Sequence, residues 1–356
     1  MNNLYIKEAL PENATTIWPL LLELYAHLQM GTPKIDASQL SEALKSGLAK
    51  ALLIYSNEKS DELAAYALYF TLTSREFGKM FMLEDIYVKE TFRRQGIGKA
   101  IFSELSKLAF TQQCPLIECK NMTNNSSAVG DDQRLYWWRI EENEFAELVN
   151  KTNKLKINVA KIPIVLDGDV INLQQAKALA GDWISLVNDG NLECEHYEMI
   201  KNLSSTFMNG EFGAIFVEHF ANGQVIGMAL FSRRGFSTWH GQFLYIDQIF
   251  VRPDCRRKGI GTAIVAELVK IAQFQNIKCI NWRASDNGDK IAEAFFNSIR
   301  SVKSTENLIY RWHIMEKPPA HYFVRWHFIE AKDQKRLRET APASKAAQCP
   351  PCAVSL

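Results

Sequence analysis

No stretch of this 356-residue chain approaches the roughly 18 uninterrupted apolar residues that a membrane-spanning helix needs. The N-terminus, MNNLYIKEALPEN, is interrupted by Lys7, Glu8 and Pro11, so no secretory leader is visible. Charge of neither sign prevails. The 41 Lys and Arg against 40 Asp and Glu leave a formal net charge of +1, which offers no broad basic surface to nucleic acid. Seven cysteines, at 114, 119, 194, 255, 279, 349 and 352, are odd in number and scattered. They make no disulfide framework and point to a reducing compartment. The seven histidines lack a metal spacing such as HxxxH. The expectation is a soluble, cytoplasmic protein with no resident metal and no nucleic-acid or membrane partner.

What is present is a repeat. MLEDIYVKETFRRQGIGKAIFSELSKLAF, starting at Met82, matches YIDQIFVRPDCRRKGIGTAIVAELVKIAQ, starting at Tyr245, at an ungapped offset of 163 residues. Glu84 falls on Asp247, Val88 on Val251, and Gly96 and Gly98 on Gly259 and Gly261. The stripe Ile101, Leu105, Leu108 and Ala109 becomes Ile264, Leu268, Ile271 and Ala272, which is the spacing of a helix buried along one face. A length of 356 residues accommodates two such units, each with its own core. We expect one domain over 1–150 and a second over 160–330, joined near 150–165. A small, polar, proline-bearing tail at 340–356 is expected to be disordered.

Each unit reads as mixed α/β. In the first, helices are predicted near 12–29 and 38–47 and strands near 50–56 and 63–73. The LEDIYV strand follows, then a helix from Gly98 to about Gln112 and a strand at 116–119. In the second, 172–189 and 195–208 look helical, and a hairpin is predicted to turn at Asn222-Gly223.

The strand–RRQGIG–helix arrangement is a device for holding phosphate. Its glycines allow positive φ and close approach of a ligand, and the helix that follows presents N–H groups and a positive dipole end. Arg93, Arg94, Arg256, Arg257 and Lys258 add charge that can grip a phosphate. The loop lacks the third glycine of GxGxxG, and no GK[ST] follows, which disfavours nicotinamide or nucleoside-triphosphate binding.

This R-x-x-G-x-G loop behind a [FY]-V strand end resembles the acetyl-CoA motif of the GCN5-related N-acetyltransferase (GNAT) superfamily. YALYF at 66–70, LEDIYV at 83–88 and RRQGIG at 93–98 are similar to the diamine (spermidine/spermine) branch, as is TENLIYRWHI in the second copy. The resemblance implies an α/β (α+β) fold of two tandem GNAT-like domains, each a mixed, mainly antiparallel twisted sheet flanked by helices. It implies acetyl-CoA held by Ile86, Tyr87, Val88, Arg93, Arg94, Gln95, Gly96, Ile97, Gly98 and Lys99. In the second copy the corresponding residues are Ile249, Phe250, Val251, Arg256, Arg257, Lys258, Gly259, Ile260, Gly261 and Thr262. The partner it implies is a small-molecule amine acceptor, polyamine-like or amino-acid-like. The chain would be a monomer with pseudo-dimeric halves or a homodimer.

An alkylammonium, with a pKa near 10.4, must lose a proton before it can attack a thioester. Glu84 and Asp247 occupy the strand position that supplies a base in the family, with Asp85 beside the former; otherwise they are strand-end carboxylates that cap a neighbour or face solvent. The family's proton-donating tyrosine is missing from the second copy, where DKIAEAFF ends in Phe296. In the first copy Tyr136 either supplies that hydroxyl or belongs to a strand with its aromatics in a core. The incomplete inventory leaves a non-catalytic acyl-CoA-binding or regulatory protein and a protein-lysine acetyltransferase as alternatives. Glu23, Asp36, Glu42, Glu193, Glu195 and Glu198 either line the acceptor side or form solvated helix faces, and Tyr25, Tyr66 and Tyr69 either stack on an alkylammonium or pack. Cys255, among arginines, is either a thiol of lowered pKa or an ordinary loop residue. The Cys349–Cys352 CxxC and the basic run at 332–339 are read as features of a tail and of a solvated helix face.

Overall fold

The computed structural model describes residues 4–29, 31–59, 62–74, 78–121, 133–139, 159–161, 164–165, 180–184, 204–210, 212–219, 222–285, 295, 302–303 and 308–313. For residues 119–121, 133–139, 159–161, 164–165, 283–285, 302–303 and 308–313 it describes the backbone alone.

The N-terminal half runs β1 (Tyr5–Glu8), α1 (Ala14–His27), α2 (Ala37–Ser46), β2 (Lys50–Tyr55), β3 (Leu63–Ser74), β4 (Gly78–Val88), α3 (Ile97–Thr111), β5 (Leu116–Asn121) and β6 (Gln133–Arg139). The C-terminal half runs β7 (Val159–Lys161), β8 (Ile164–Val165), β9 (Gly213–His219), β10 (Val225–Ser237), β11 (Gly241–Val251), α4 (Ile260–Phe274), β12 (Cys279–Ser285), β13 (Val302–Lys303) and β14 (Leu308–His313). The elements predicted for the N-terminal half begin and end within a few residues of those observed. Of the helices predicted at 172–189 and 195–208, the described residues 180–184 and 204–208 are helical. The Asn222-Gly223 turn joins β9 to β10, with Gly223 at φ +66° and the Asn222 carboxamide accepting from the Gln224 N–H at 3.1 Å.

Both sheets are mixed and mainly antiparallel. The first has the order β1-β2-β3-β4-β5-β14, and the second β13-β6-β12-β11-β10-β9-β7 with β8 beside β9. The only parallel neighbours among the described strands are β4 with β5 and β11 with β12. Helix α3 buries Ile97, Ile101, Phe102, Leu105 and Ala109 against one face of the first sheet. Helix α4 buries Ile264, Leu268, Ile271 and Ala272 against the second, as the repeated stripe predicts. Leu108, predicted for the first stripe, packs at its margin only partly buried.

The two halves interlock. Strand β6 follows β5 in sequence but pairs with β12 of the second sheet, Trp137 opposite Asn281 and Tyr136 opposite Trp282. Strand β14, near the far end of the chain, pairs with β5 of the first sheet, Arg311 opposite Glu118. Tyr136 is therefore a strand residue in the sheet of the other half; its side chain lies outside the described residues. The core between the sheet and helices α1 and α2 of the N-terminal half is also shared, because Phe236, Phe243, Tyr245 and Cys279 of the C-terminal half pack into it. The Phe70 and Phe243 rings meet edge-on at 5.9 Å, a preferred aromatic geometry.

Candidate functional site

Strands β4 and β5 hold register only from Phe81–Ile117 to Leu83–Cys119, and β11 and β12 only from Leu244–Ile280 to Ile246–Trp282. Each ladder stops where the partner edge carries a bulge. On β4, Asp85 opposes Leu68 and Leu83 opposes Tyr69, which leaves Glu84 as the extra residue. On β11, Gln248 opposes Leu230 and Ile246 opposes Phe231, which leaves Asp247 in the same role. A bulge increases local twist and bends its strand. The parallel neighbours therefore part into two clefts, with Ile86–Val88 along one and Ile249–Val251 along the other.

Each cleft ends at its glycine loop. Gly96 (φ +81°) and Gly259 (φ +83°) adopt the left-handed region, and so do Arg94 (φ +61°) and Arg257 (φ +63°), where a side chain is strained. The first intrahelical bonds are Ala100 N to Gly96 O at 3.1 Å and Ala263 N to Gly259 O at 3.0 Å. The N–H groups of Ile97, Gly98 and Lys99, and of Ile260, Gly261 and Thr262, precede those bonds at the positive end of a 15-residue helix. A Cβ built on Gly96 or Gly98 would meet nothing within 4 Å, so the first loop has open space for a diphosphate.

The basic residues split by role. Arg93 Nε donates to Val88 O at 3.0 Å, and Arg256 Nε donates to Val251 O at the same distance. Both arginines thus tie their loop to the end of the preceding strand. Gln95 donates to Thr91 O at 3.1 Å, and Lys258, at the matching position, donates to Asp254 O at 3.0 Å. Arg94, Arg257, Lys99 and Thr262 remain at the loop and the helix start, with both arginines exposed. The reading of Cys255 as a thiol of lowered pKa is corrected. It is buried, and burial together with the Asp254 carboxylate pushes the thiol up, against the nearby Lys258 and Arg252.

On the face carrying α1 and α2, polar groups from both halves converge. Glu84 is 9% and Asp85 7% exposed. On a regular strand these neighbours would face opposite sides; the bulge lets both reach Thr238, in the turn between β10 and β11. Glu84 Oε1 accepts from the Thr238 N–H at 3.1 Å, and Asp85 Oδ2 accepts from the Thr238 hydroxyl at 2.8 Å. The Tyr25 hydroxyl lies 2.9 Å from Thr238 Oγ1, and its ring stacks on Trp239 at 5.9 Å. Tyr66 is fully buried, and its hydroxyl has no hydrogen-bond partner among the described residues. Burial, with Asp85, Tyr25 and Glu84 around it, holds that phenol well above its ordinary pKa. Tyr25 is raised too, chiefly by burial and by Asp85. Both phenols are therefore proton donors rather than bases at neutral pH.

Other acceptor-side expectations resolve individually. Asp36 is the N-cap of α2, its carboxylate accepting from Gln39 N at 2.8 Å while Gln39 Oε1 accepts from Asp36 N at 3.0 Å. That is the reciprocal capping box, which removes Asp36 from the acceptor reading. Glu42 is exposed beside Lys45. Tyr69 stacks on Phe81 at 4.5 Å on the α3 face and packs there. Glu23 lies beside Tyr87, whose phenol burial and the Glu23 carboxylate push up. Arg93 sits 5.6 Å over the Tyr87 ring. Glu193, Glu195, Glu198, Phe296, the CxxC pair, the basic run and the tail lie outside the described residues. Thr238 escaped the sequence reading because it contacts residues 153 and 154 positions away. No local pattern marks such a partner.

The same positions in the C-terminal half differ in chemistry. The cross-strand pair Tyr66–Tyr87 becomes Met228–Phe250, and Asp85 becomes Gln248. Gln248 accepts from the Trp183 indole N–H at 2.8 Å within an apolar cluster.

Two clefts of parted parallel strands, each ending in a left-handed glycine at a helix start, make the two halves copies of one α/β design. The model of the acetyltransferase (GNAT) family matches residues 21–136 and again 182–300. The chain belongs to that family. Among individual relatives, it is similar to a thialysine N-epsilon-acetyltransferase of Caenorhabditis elegans, 31% identical over 81 residues, which are 23% of this chain and 49% of that protein. A Sus scrofa thialysine N-epsilon-acetyltransferase is 34% identical over 67 residues, 19% of this chain and 39% of that protein. The chain thus spans at most about half the length of these curated relatives. Among solved structures, a tandem GNAT protein from the clavulanic acid biosynthesis pathway aligns over 88% of this chain and 100% of its own, with TM-score 0.46 and 11% identity. A GCN5-related N-acetyltransferase from Sphaerobacter thermophilus aligns over 87% and 96%, with TM-score 0.48 and 14% identity.

Proposed function

We propose that the chain is an N-acetyltransferase that moves an acetyl group from acetyl-CoA to a primary amine on an alkyl chain, with acceptance confined to the N-terminal half. The observation that carries this is the pair of buried carboxylates, Glu84 and Asp85, at the bulge beside an intact glycine loop. The residues present suit the cofactor. Ile97, Gly98 and Lys99 N–H groups with Arg94 would meet its diphosphate, and the β4 edge past Leu83 would run along its pantetheine arm. When bound there, acetyl-CoA supplies an activated thioester.

This chain's own part is to receive and deprotonate the amine. Glu84 takes the ammonium proton, directly or through water, and the amine then attacks as the free base. Asp85 beside it favours a cationic acceptor over a neutral one. N–H groups on β4 at Ile86–Val88 would stabilise a carbonyl oxygen that gains charge, and the cleft would supply proximity. The thialysine named in the matching relatives is an amine on an alkyl chain, and it supports an amino-acid-like or polyamine-like acceptor. The second cleft keeps its loop and Asp247 at its bulge, but among the described residues Met228, Gln248 and Phe250 stand where the first half has Tyr66, Asp85 and Tyr87. It is read as a cofactor-binding scaffold.

The test is thiol release from acetyl-CoA over a panel of thialysine, lysine, diamines, polyamines and lysine peptides. Glu84→Gln should lower turnover about 100-fold or more, while Asp247→Asn stays near wild type. Binding of acetyl-CoA with no release for any amine would overturn the acetyltransferase reading. Release from lysine peptides alone would transfer it to protein acetylation.

A further inference from the structure

We infer that Thr238 is a positioning residue for amine deprotonation in the N-terminal half, so that one half's acceptor site is completed by a hairpin turn of the other. The inference rests on the acetyl transfer proposed above and adds a residue that neither copy of the repeat motif contains.

The hydrogen-bond inventory fixes the direction of the network. An ionised carboxylate only accepts, and a threonine hydroxyl has one hydrogen to give. The hydroxyl of Thr238 therefore donates to Asp85 Oδ2, and the Tyr25 hydroxyl must donate to Thr238 Oγ1. The backbone N–H of the same residue donates to Glu84 Oε1. One residue thus orients two neighbouring carboxylates, through separate groups. Charge-assisted bonds of this kind are stronger than neutral ones.

The turn has a built seat. Trp239 stacks on Tyr25 on one side and carries the Lys34 ammonium 5.3 Å from its ring centroid on another. Ser237 Oγ accepts from Trp239 N at 3.1 Å and shapes the backbone. A Cβ at Gly241, where β11 begins, would come within 3.3 Å of Ile35 in the loop before α2. Behind the carboxylates lies the fully buried Tyr66, whose hydroxyl has no partner among the described residues. A base must hold one orientation within reach of the proton it removes, and this turn contributes a directed contact to each of Glu84 and Asp85.

The experiment compares the full-length chain with Thr238→Val, which keeps the backbone donor and the shape but removes the hydroxyl, and with Thr238→Ser, which restores it. An Asp85→Asn background is added to both wild type and Thr238→Val. Thr238→Val should lower kcat for the amine about 10-fold or more. It should leave KM for acetyl-CoA unchanged and alter the acid limb of the pH–rate profile, because Asp85, the neighbour of the base Glu84, has lost a donor that favoured its charged form. Thr238→Ser should recover wild-type behaviour, and Thr238→Val should cost nothing further in the Asp85→Asn background. An unchanged pH profile and kcat, or a loss that tracks only the folded fraction at the assay temperature, would reduce Thr238 to an interface contact. If the wild type releases no thiol with any amine, the acetyltransferase reading fails and takes this inference with it. If the wild type turns over and Thr238→Val matches it, this inference alone fails.

Discussion

Cys255 shows how a residue's linear neighbours can misstate its chemistry. Arginines on either side suggest a reactive thiolate, yet the side chain is 8% exposed and Asp254 precedes it. With the thiol pKa raised, the thiolate fraction at any given pH is smaller than for an ordinary cysteine. The alkylation rate of Cys255 in the native protein should therefore climb only at a pH above that of a model thiol. Peptide mapping after iodoacetamide labelling across a pH series checks this, and rapid labelling at pH 7 would contradict it. Arg93 and Arg256 carry the same lesson in another form. Their charge was legible beside the loop, but their Nε–carbonyl ties to Val88 and Val251 depend on a backbone turn that spacing alone does not display.

At the scale of elements, local periodicity was informative and pairing was not. The apolar stripes fixed α3 and α4, the glycine loops fixed where those helices start, and Asn222-Gly223 fixed a hairpin. None of these depends on a distant partner. The destination of β6 and β14 does, because 3.6- and 2-residue periods say which face is buried but not which sheet receives the strand. Glu118 on β5 is 0% exposed, and β14 pairs along that strand over six residues. Ending the chain before Leu308 should remove that ladder and destabilise the N-terminal half by roughly 5 kcal/mol, on the order of 1 kcal/mol per lost bond. Urea denaturation followed by fluorescence measures it. An unchanged midpoint would contradict the exchange of strands between sheets.

For the whole molecule, the duplication preserves the glycine loop and its helix and lets the residues on the opposite sheet face diverge. The ladders of β3 with β4 and of β10 with β11 run in matching register through both bulges, yet the side chains they present change from Tyr66, Asp85 and Tyr87 to Met228, Gln248 and Phe250. The two glycine loops and the helices they start were readable from the repeat. The asymmetry between these faces was written in the same aligned residues, but it acquires meaning only once their shared face and the turn at Thr238 are known. The interlocked sheets and shared core tie both halves to one folded unit, which makes the separate halves poor test objects.

The most direct test is to block each loop in the full-length chain. Gly96 and Gly259 have nearly the same φ, +81° and +83°, so the backbone strain of Gly96→Trp and of Gly259→Trp is matched, and the comparison isolates the cleft each one fills. With the best amine of the panel, Gly96→Trp should lower thiol release about 100-fold, while Gly259→Trp stays close to wild type. Loss of turnover in Gly259→Trp with activity retained in Gly96→Trp would contradict the account.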